Sequence, residues 1–158
     1  MAYQRPQRYL NAISLYRWYR RGLPARIGLL RKLAESLNYF LFNCSVPASC
    51  QIGERTYCSH RGMSVVIHKD AVIGKDCVIG TCVTLGGRGK GVEGAPVIGN
   101  NVYIATGAKI LGPVSVGDNA VIGANSVVLT DVPANQTVVG IPARALTSAA
   151  SAIPEVAA

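Results

Sequence analysis

His60 and His68 are the only imidazoles in the chain. They stand eight residues apart around the segment SHRGMSVV (59–66), where a six-residue rhythm running through most of the sequence slips by three. A local break in a strict pattern tends to mark a functional site. Imidazole has an ordinary pKa of about 6.5, so at neutral pH it is suited to taking a proton from a hydroxyl as general base. Zinc held by histidines alone wants three, and two do not supply the set. The five cysteines form no CxxC pair, so neither a disulfide framework nor a zinc site is expected.

A second break is GGRGKGVEGAP (86–96), with five glycines plus Arg88 and Lys90. It reads either as a tolerated surface insertion or as a loop whose backbone N–H groups and cations meet phosphate. The GxxxxGK[ST] spacing of a Walker loop is missing.

The rhythm that carries these two breaks is plainest over 98–132. An aliphatic residue returns at Ile98, Ile104, Ile110, Val116, Ile122 and Val128. Four places after each comes a small or β-branched residue: Val102, Ala108, Val114, Ala120, Ser126 and Val132. Six matches neither the 3.6 of a helix nor the alternation of a sheet. It matches a prism of short strands, each unit giving one flat face and one corner, with Gly and Asn where corners need permissive backbone. The aliphatic residue fills the axis. Three units return the chain to its start, which makes a parallel β-helix. The same columns run back through Leu85, Ile79, Ile73 and Ile67, and before the slip through Cys58, Ile52 and Val46. Cys50 and Cys77 fall in the small-residue column and Cys58 in the aliphatic one, where they read as small buried apolar residues. Cys82 falls in neither.

Ahead of the prism, NAISLYRWYRR (11–21) reads as a short helix capped by Asn11 and stopped by Gly22. A second helix over 24–42 starts on Pro24 and carries an apolar stripe of Ile27, Leu30, Leu33, Ala34, Leu37 and Leu41. Residues 1–43 hold eight Lys/Arg against Glu35 alone, a net +7, while the rest of the chain nets +1. The basic character therefore belongs to the helices. They are expected to pack on the first coil or on a neighbouring subunit. The alternative is peripheral contact with an anionic membrane surface. No nucleic-acid motif accompanies the charge, so nucleic-acid binding is not expected. No apolar run nears the roughly 20 residues of a membrane span, and MAYQRPQRYL lacks the apolar core of a signal peptide. A cytoplasmic protein is expected. The division is a basic helical segment (1–45), a β-helix (46–146) and a disordered tail (147–158).

The [LIV]-G-x-x-[small]-x unit resembles that of the hexapeptide-repeat acyltransferases, which implies a left-handed parallel β-helix. Within that group the chain looks most like the serine acetyltransferases and the related short O-acetyltransferases of surface-polysaccharide clusters. The resembling residues are Val83-Thr84-Leu85-Gly86-Gly87 with Gly89-Lys90, and Gly107-Ala108-Lys109-Ile110-Leu111-Gly112. Ile122-Gly123-Ala124-Asn125-Ser126-Val127-Val128 and Gly140-Ile141-Pro142-Ala143-Arg144 complete them. The resemblance implies acetyl-CoA in a groove between two subunits of a homotrimer and a histidine that takes the proton of a small acceptor's hydroxyl. It implies no metal. His60 is the candidate base, with His68 as second candidate or acceptor-pocket residue. Thr84, Gly86, Gly87, Lys90, Ala105, Gly107, Ala108 and Lys109 resemble the CoA-facing positions, and Arg144 the nucleotide end.

Three departures from the serine enzymes stand out. Their Asp-His pair, carried over without gaps, falls on His60 and Arg61, whereas the H-x-G-x-G-V-V-I-H of the short enzymes is nearly reproduced by residues 60–68. The carboxylate that orients the base falls at about Ser45. The Arg-His pair before a proline, which handles the serine carboxylate, reads Gly94-Ala95. The leading expectation is an acetyl-CoA-dependent O-acetyltransferase acting on L-serine, as in cysteine biosynthesis; the alternative acceptor is a sugar or surface-polysaccharide precursor. A metalloenzyme such as a γ-type carbonic anhydrase and a non-catalytic trimeric scaffold are the remaining readings.

Overall fold

In a computed structural model of the chain, residues 10–22 and 27–146 are described; the expected start of the second helix at Pro24 and the tail over 147–158 fall outside them. The repeat forms a three-faced parallel β-solenoid. One face stacks Gln51–Ile52, Val72–Ile73, Val97–Ile98 and Ser115–Val116. The second stacks Tyr57–Cys58, Val78–Ile79, Tyr103–Ile104, Val121–Ile122 and Thr137–Val139, and is closed by the antiparallel strand Arg144–Ala145. The third stacks Val66–Ile67, Thr84–Gly86, Lys109–Leu111 and Val127–Val128. Register follows the columns of the sequence, with Ile73 beside Ile98 and Leu85 beside Ile110.

Both columns are buried, which is why the period must be six. The aliphatic residues from Val46 to Val128 and the small ones, among them Ala71, Cys77, Ala108 and Ser126, fill a dry axis. Two of the three corners meanwhile hold a residue in the left-handed region. Between the first and second faces that residue is Arg55, Asp76, Asn101, Asn119 and Asn135 in successive coils, all at φ between 53° and 61°. Side chains bridge this column as well: Asn101 Nδ2 donates to Asn119 Oδ1 at 2.8 Å, and Asn119 Nδ2 to Asn135 Oδ1 at 3.0 Å.

Helix α1 (Ala12–Arg21) is capped by Asn11, whose Oδ1 accepts from the Ser14 N–H at 2.9 Å while Ser14 Oγ accepts from the Asn11 N–H. It ends at Gly22. Ala12, Ile13, Leu15, Tyr16 and Tyr19 are buried, and polar tips pin the helix to the first coil. The Tyr16 hydroxyl donates to the Cys50 carbonyl at 2.7 Å and the Tyr19 hydroxyl to the Val46 carbonyl, while Arg17 Nη2 donates to the Gly53 and Thr56 carbonyls. Helix α2 (Gly28–Phe42) ends at Asn43 in the left-handed region. Of the two packings expected for the helices, on the first coil or on a neighbouring subunit, the first holds for only one residue of the α2 stripe. Of the six stripe residues only Ala34 is buried; Asn38 and Phe42 join it against the rest of the chain, while the leucines face outward. Among the described residues no helix is long and apolar enough to cross a membrane.

Candidate active site

The slip in the repeat becomes a 3-10 turn, Ser59–Gly62, at the corner between the second and third faces. In later coils this corner places one left-handed residue, at Cys82, Gly107 and Asn125; here Ser64 (φ 56°) takes that place and three more precede it in a row, His60 (φ 46°), Arg61 (φ 64°) and Gly62 (φ 86°). Holding an ordinary L-residue in this region costs on the order of 1–2 kcal/mol, so the turn persists only because its surroundings fix it. Those surroundings are the two helices. A Cβ on Gly62 would stand 2.8 Å from Ala12 Cβ of α1 and 3.1 Å from Cys58 Cβ. Two residues on, the Ser64 N–H donates to the Phe42 carbonyl at 3.2 Å, and Asn43 Nδ2 donates to Ser64 Oγ at 3.2 Å. His60 itself is exposed at the outer edge of this braced corner.

The next coils continue the same edge. The Cys82 N–H donates to the Met63 carbonyl at 3.0 Å, directly after the turn. Lys109 Nζ donates to the Cys82 and Gly107 carbonyls, both at 2.8 Å, so this ammonium is held on the His60 edge. Gly107 sits at φ 76°, and a Cβ there would fall 2.0 Å from Asn125 Oδ1, so another residue would need the Asn125 side chain to move. Ala105 and Ala108 flank it, Ala108 fully buried. Thr84 pairs with Lys109 on the third face and Gly86 with Leu111.

His68 lies at the opposite edge of that third face. Its N–H donates to the Leu85 carbonyl at 2.7 Å, one residue before the strand gives way to the glycine loop that bears Gly87 and Lys90. Its ring Nδ1 lies 3.2 Å from the Asp70 backbone N and 3.8 Å from Asp70 Oδ2. Lys69, in hydrogen-bond contact, holds the Asp70 carboxyl below its usual range, with His68 adding to the effect. Ser45 is laid beside Val66, its N–H donating to the Val65 carbonyl. Arg144 stands apart from both edges, at the far end of the coil. There it lines a cavity of about 310 Å³ with Val128, Asp131, Pro133 and Gln136, and its Nη1 donates to the Ala143 carbonyl.

The candidate residues thus divide into an edge with His60, Ala105, Gly107 and Lys109, an edge with His68, Gly87 and Lys90, and a terminal site with Arg144. Thr84 and Gly86 lie on the face between the edges. Sequence reasoning missed Gly62 and Ala12, the pair that packs the turn in place; the one available signal was a glycine directly after His60-Arg61. Among the described residues no group of three or more His, Cys, Asp and Glu is placed to hold a metal ion.

Known proteins share this architecture. Residues 95–130 match the family of bacterial transferase hexapeptide repeats. The serine acetyltransferase of Synechococcus elongatus is 41% identical over 122 residues, covering 77% of this chain and 50% of that one. The chain thus spans about half the length of this relative. The Helicobacter pylori serine acetyltransferase is 37% identical over 140 residues, covering 87% of this chain and 81% of its own. A solved serine acetyltransferase in complex with CoA superposes with a TM-score of 0.77 at 34% identity, over 85% of this chain and 55% of that one. Because the likeness covers 87% of this chain and four-fifths of a whole relative, the chain belongs to the serine acetyltransferase family of hexapeptide-repeat proteins.

Proposed function

We propose that the chain transfers acetyl from acetyl-CoA to the hydroxyl of L-serine, with His60 as general base. The observation that carries this reading is its relation to a serine acetyltransferase of nearly the same extent. The Lys109-bearing edge that His60 shares supports the choice of base. The acceptor hydroxyl gives its proton to His60 while its oxygen forms a bond to the thioester carbonyl carbon. The tetrahedral oxyanion collapses, the C–S bond breaks, and the proton held on His60 passes to the departing CoA sulfur. Backbone N–H groups at the oxyanion supply the larger electrostatic share, and the thiolate needs little acid help. Lys109 and Lys90 meet the CoA phosphates, and Arg144 the nucleotide end.

The division into two edges favours a homotrimer. His60 and the glycine loop leave one protomer from opposite sides of the third face, so a thioester touching both must lie between two copies. A second acceptor class, a sugar hydroxyl, is favoured by one feature: Gly94-Ala95 offers no cation to a serine carboxylate. The test is thiol release from acetyl-CoA with L-serine and with a panel of sugars. Release with L-serine is expected. Release with a sugar alone moves the acceptor to the second class, and release with neither removes the enzymatic reading.

A further inference from the structure

The leucines that α2 turns outward form a single face. Leu29, Leu30, Leu33, Leu37, Phe40 and Leu41 are all exposed, Phe40 to 82% and Leu29 to 69%. At about 100° per residue they fall in one arc covering about a third of the helix circumference. The buried Ala34, Asn38 and Phe42 lie on a different side. A contiguous apolar patch of this kind on a soluble surface marks a contact still to be made.

Charge selects among the occupants. Arg31 and Lys32 are exposed on the same helix, and Arg21 ends α1. Lys32 follows Leu29 by three positions, so its apolar stem can run along the arc with the ammonium at the border. The only acid of residues 1–43, Glu35, is turned to the coil, where its Oε1 accepts from the Ala48 N–H at 2.9 Å. Among the described residues the segment therefore combines an apolar arc, three exposed cations (Arg21, Arg31 and Lys32) and a single carboxylate already engaged by its own chain, while Arg17 and Arg20 donate to carbonyls of the coil. Packing two such segments together sets like charge against like charge. A bilayer leaflet with anionic headgroups answers both features at once, since it accepts leucine and phenylalanine without a shaped groove and brings the missing negative charge.

We infer that the outward arc of α2 seats on an anionic lipid surface, anchoring the N-terminal end of the coil. The contact is independent of which hydroxyl the protein acetylates. It is tested by sedimenting the full chain with vesicles of phosphatidylcholine alone and of phosphatidylcholine with phosphatidylglycerol. Binding is expected to the mixed vesicles only, and to fall as salt is raised. Phe40→Glu and Leu33→Glu should each weaken it at least about tenfold, and Lys32→Glu about fivefold or more. Leu37→Gln, a milder change at an exposed position, supplies the same reading should the glutamate variants misfold. Wild type remaining in the supernatant with mixed vesicles at low salt overturns the inference, as does binding indifferent to all four substitutions. A vesicle-free assembly whose mass drops on Leu33→Glu assigns the face to a second copy and overturns it equally.

Discussion

The two interruptions of the repeat differ in how they are held. The slip at Ser59–Gly62 is packed from beneath by Ala12, tied by Ser64 to the end of α2, and tied by Met63 to Cys82 of the next coil. The loop after Gly86 has no such backing at Gly87, Gly89 and Gly91, where an added Cβ would meet nothing within 4 Å. One break fixes a side chain against its backbone's preference; the other is held at Arg88, which lies on Gly112 and donates to the Leu129 carbonyl, and at Gly94, which lies on Pro113, and leaves Gly87, Gly89 and Gly91 open to solvent. A proton-transfer group must be placed to a fraction of an ångström, whereas backbone groups and cations closing over a phosphate can settle after it arrives. The packing of each break matches the work proposed for it.

The sharpest way to break this contrast is His60→Ala. Loss of a general base removes roughly a hundred- to ten-thousand-fold from kcat, measured as thiol release with the preferred acceptor. His68→Ala, on the opposite edge of the third face, should cost far less. If His68→Ala proves the more damaging, the braced corner is not the catalytic one.

Gly62→Ala tests the bracing itself. The new methyl would require a left-handed alanine and a 2.8 Å approach to Ala12 Cβ, so the chain should lose about 2–4 kcal/mol of unfolding free energy in a denaturant titration. The paired change Ala12→Gly with Gly62→Ala should return the steric part and leave the backbone part.

How much of this was legible in the residues follows from the same contrast. The coil could be read because Ile98, Ile104, Ile110 and their small partners state its period in types that nothing else requires. The site was legible only as two breaks in that period, because a break says where the chain departs and not where it goes. That Gly62 lies on Ala12, fifty residues earlier in the chain, is a tertiary contact with no local signature. The second helix shows the opposite failure. Its stripe of leucines is plain in the sequence, but a stripe does not say whether the protein's own core covers it, and here Ala34, Asn38 and Phe42 do the packing instead.

Thiol chemistry gives a finer view of the braced corner. Burial pushes Cys44 and Cys50 up to about 11 and raises Cys58 and Cys77 as well, while Cys82 is exposed. Thiolates react and thiols do not, so a maleimide added to the native protein should modify Cys82 and spare the four buried residues, read by mass spectrometry. In Gly62→Ala, Cys58 should become reactive, because it lies directly under the turn. Reactivity at Cys77 without Cys58 would place the weak point elsewhere in the coil.

The smallest effect is expected at Gly87, and it completes the contrast. Gly87 has open space around its Cα and its φ lies outside the left-handed region, so alanine fits without strain and reduces the freedom of the unfolded chain. Stability should therefore change by no more than about half a kcal/mol, in either direction. Binding of acetyl-CoA should also survive, since a backbone N–H is retained whatever the side chain. Lys90→Ala removes an exposed charge and should raise the KM for acetyl-CoA by about fivefold or less. If Gly87→Ala instead matched Gly62→Ala in its cost, the loop would be a second braced element, and the difference in packing between the two breaks could no longer account for a difference in their roles.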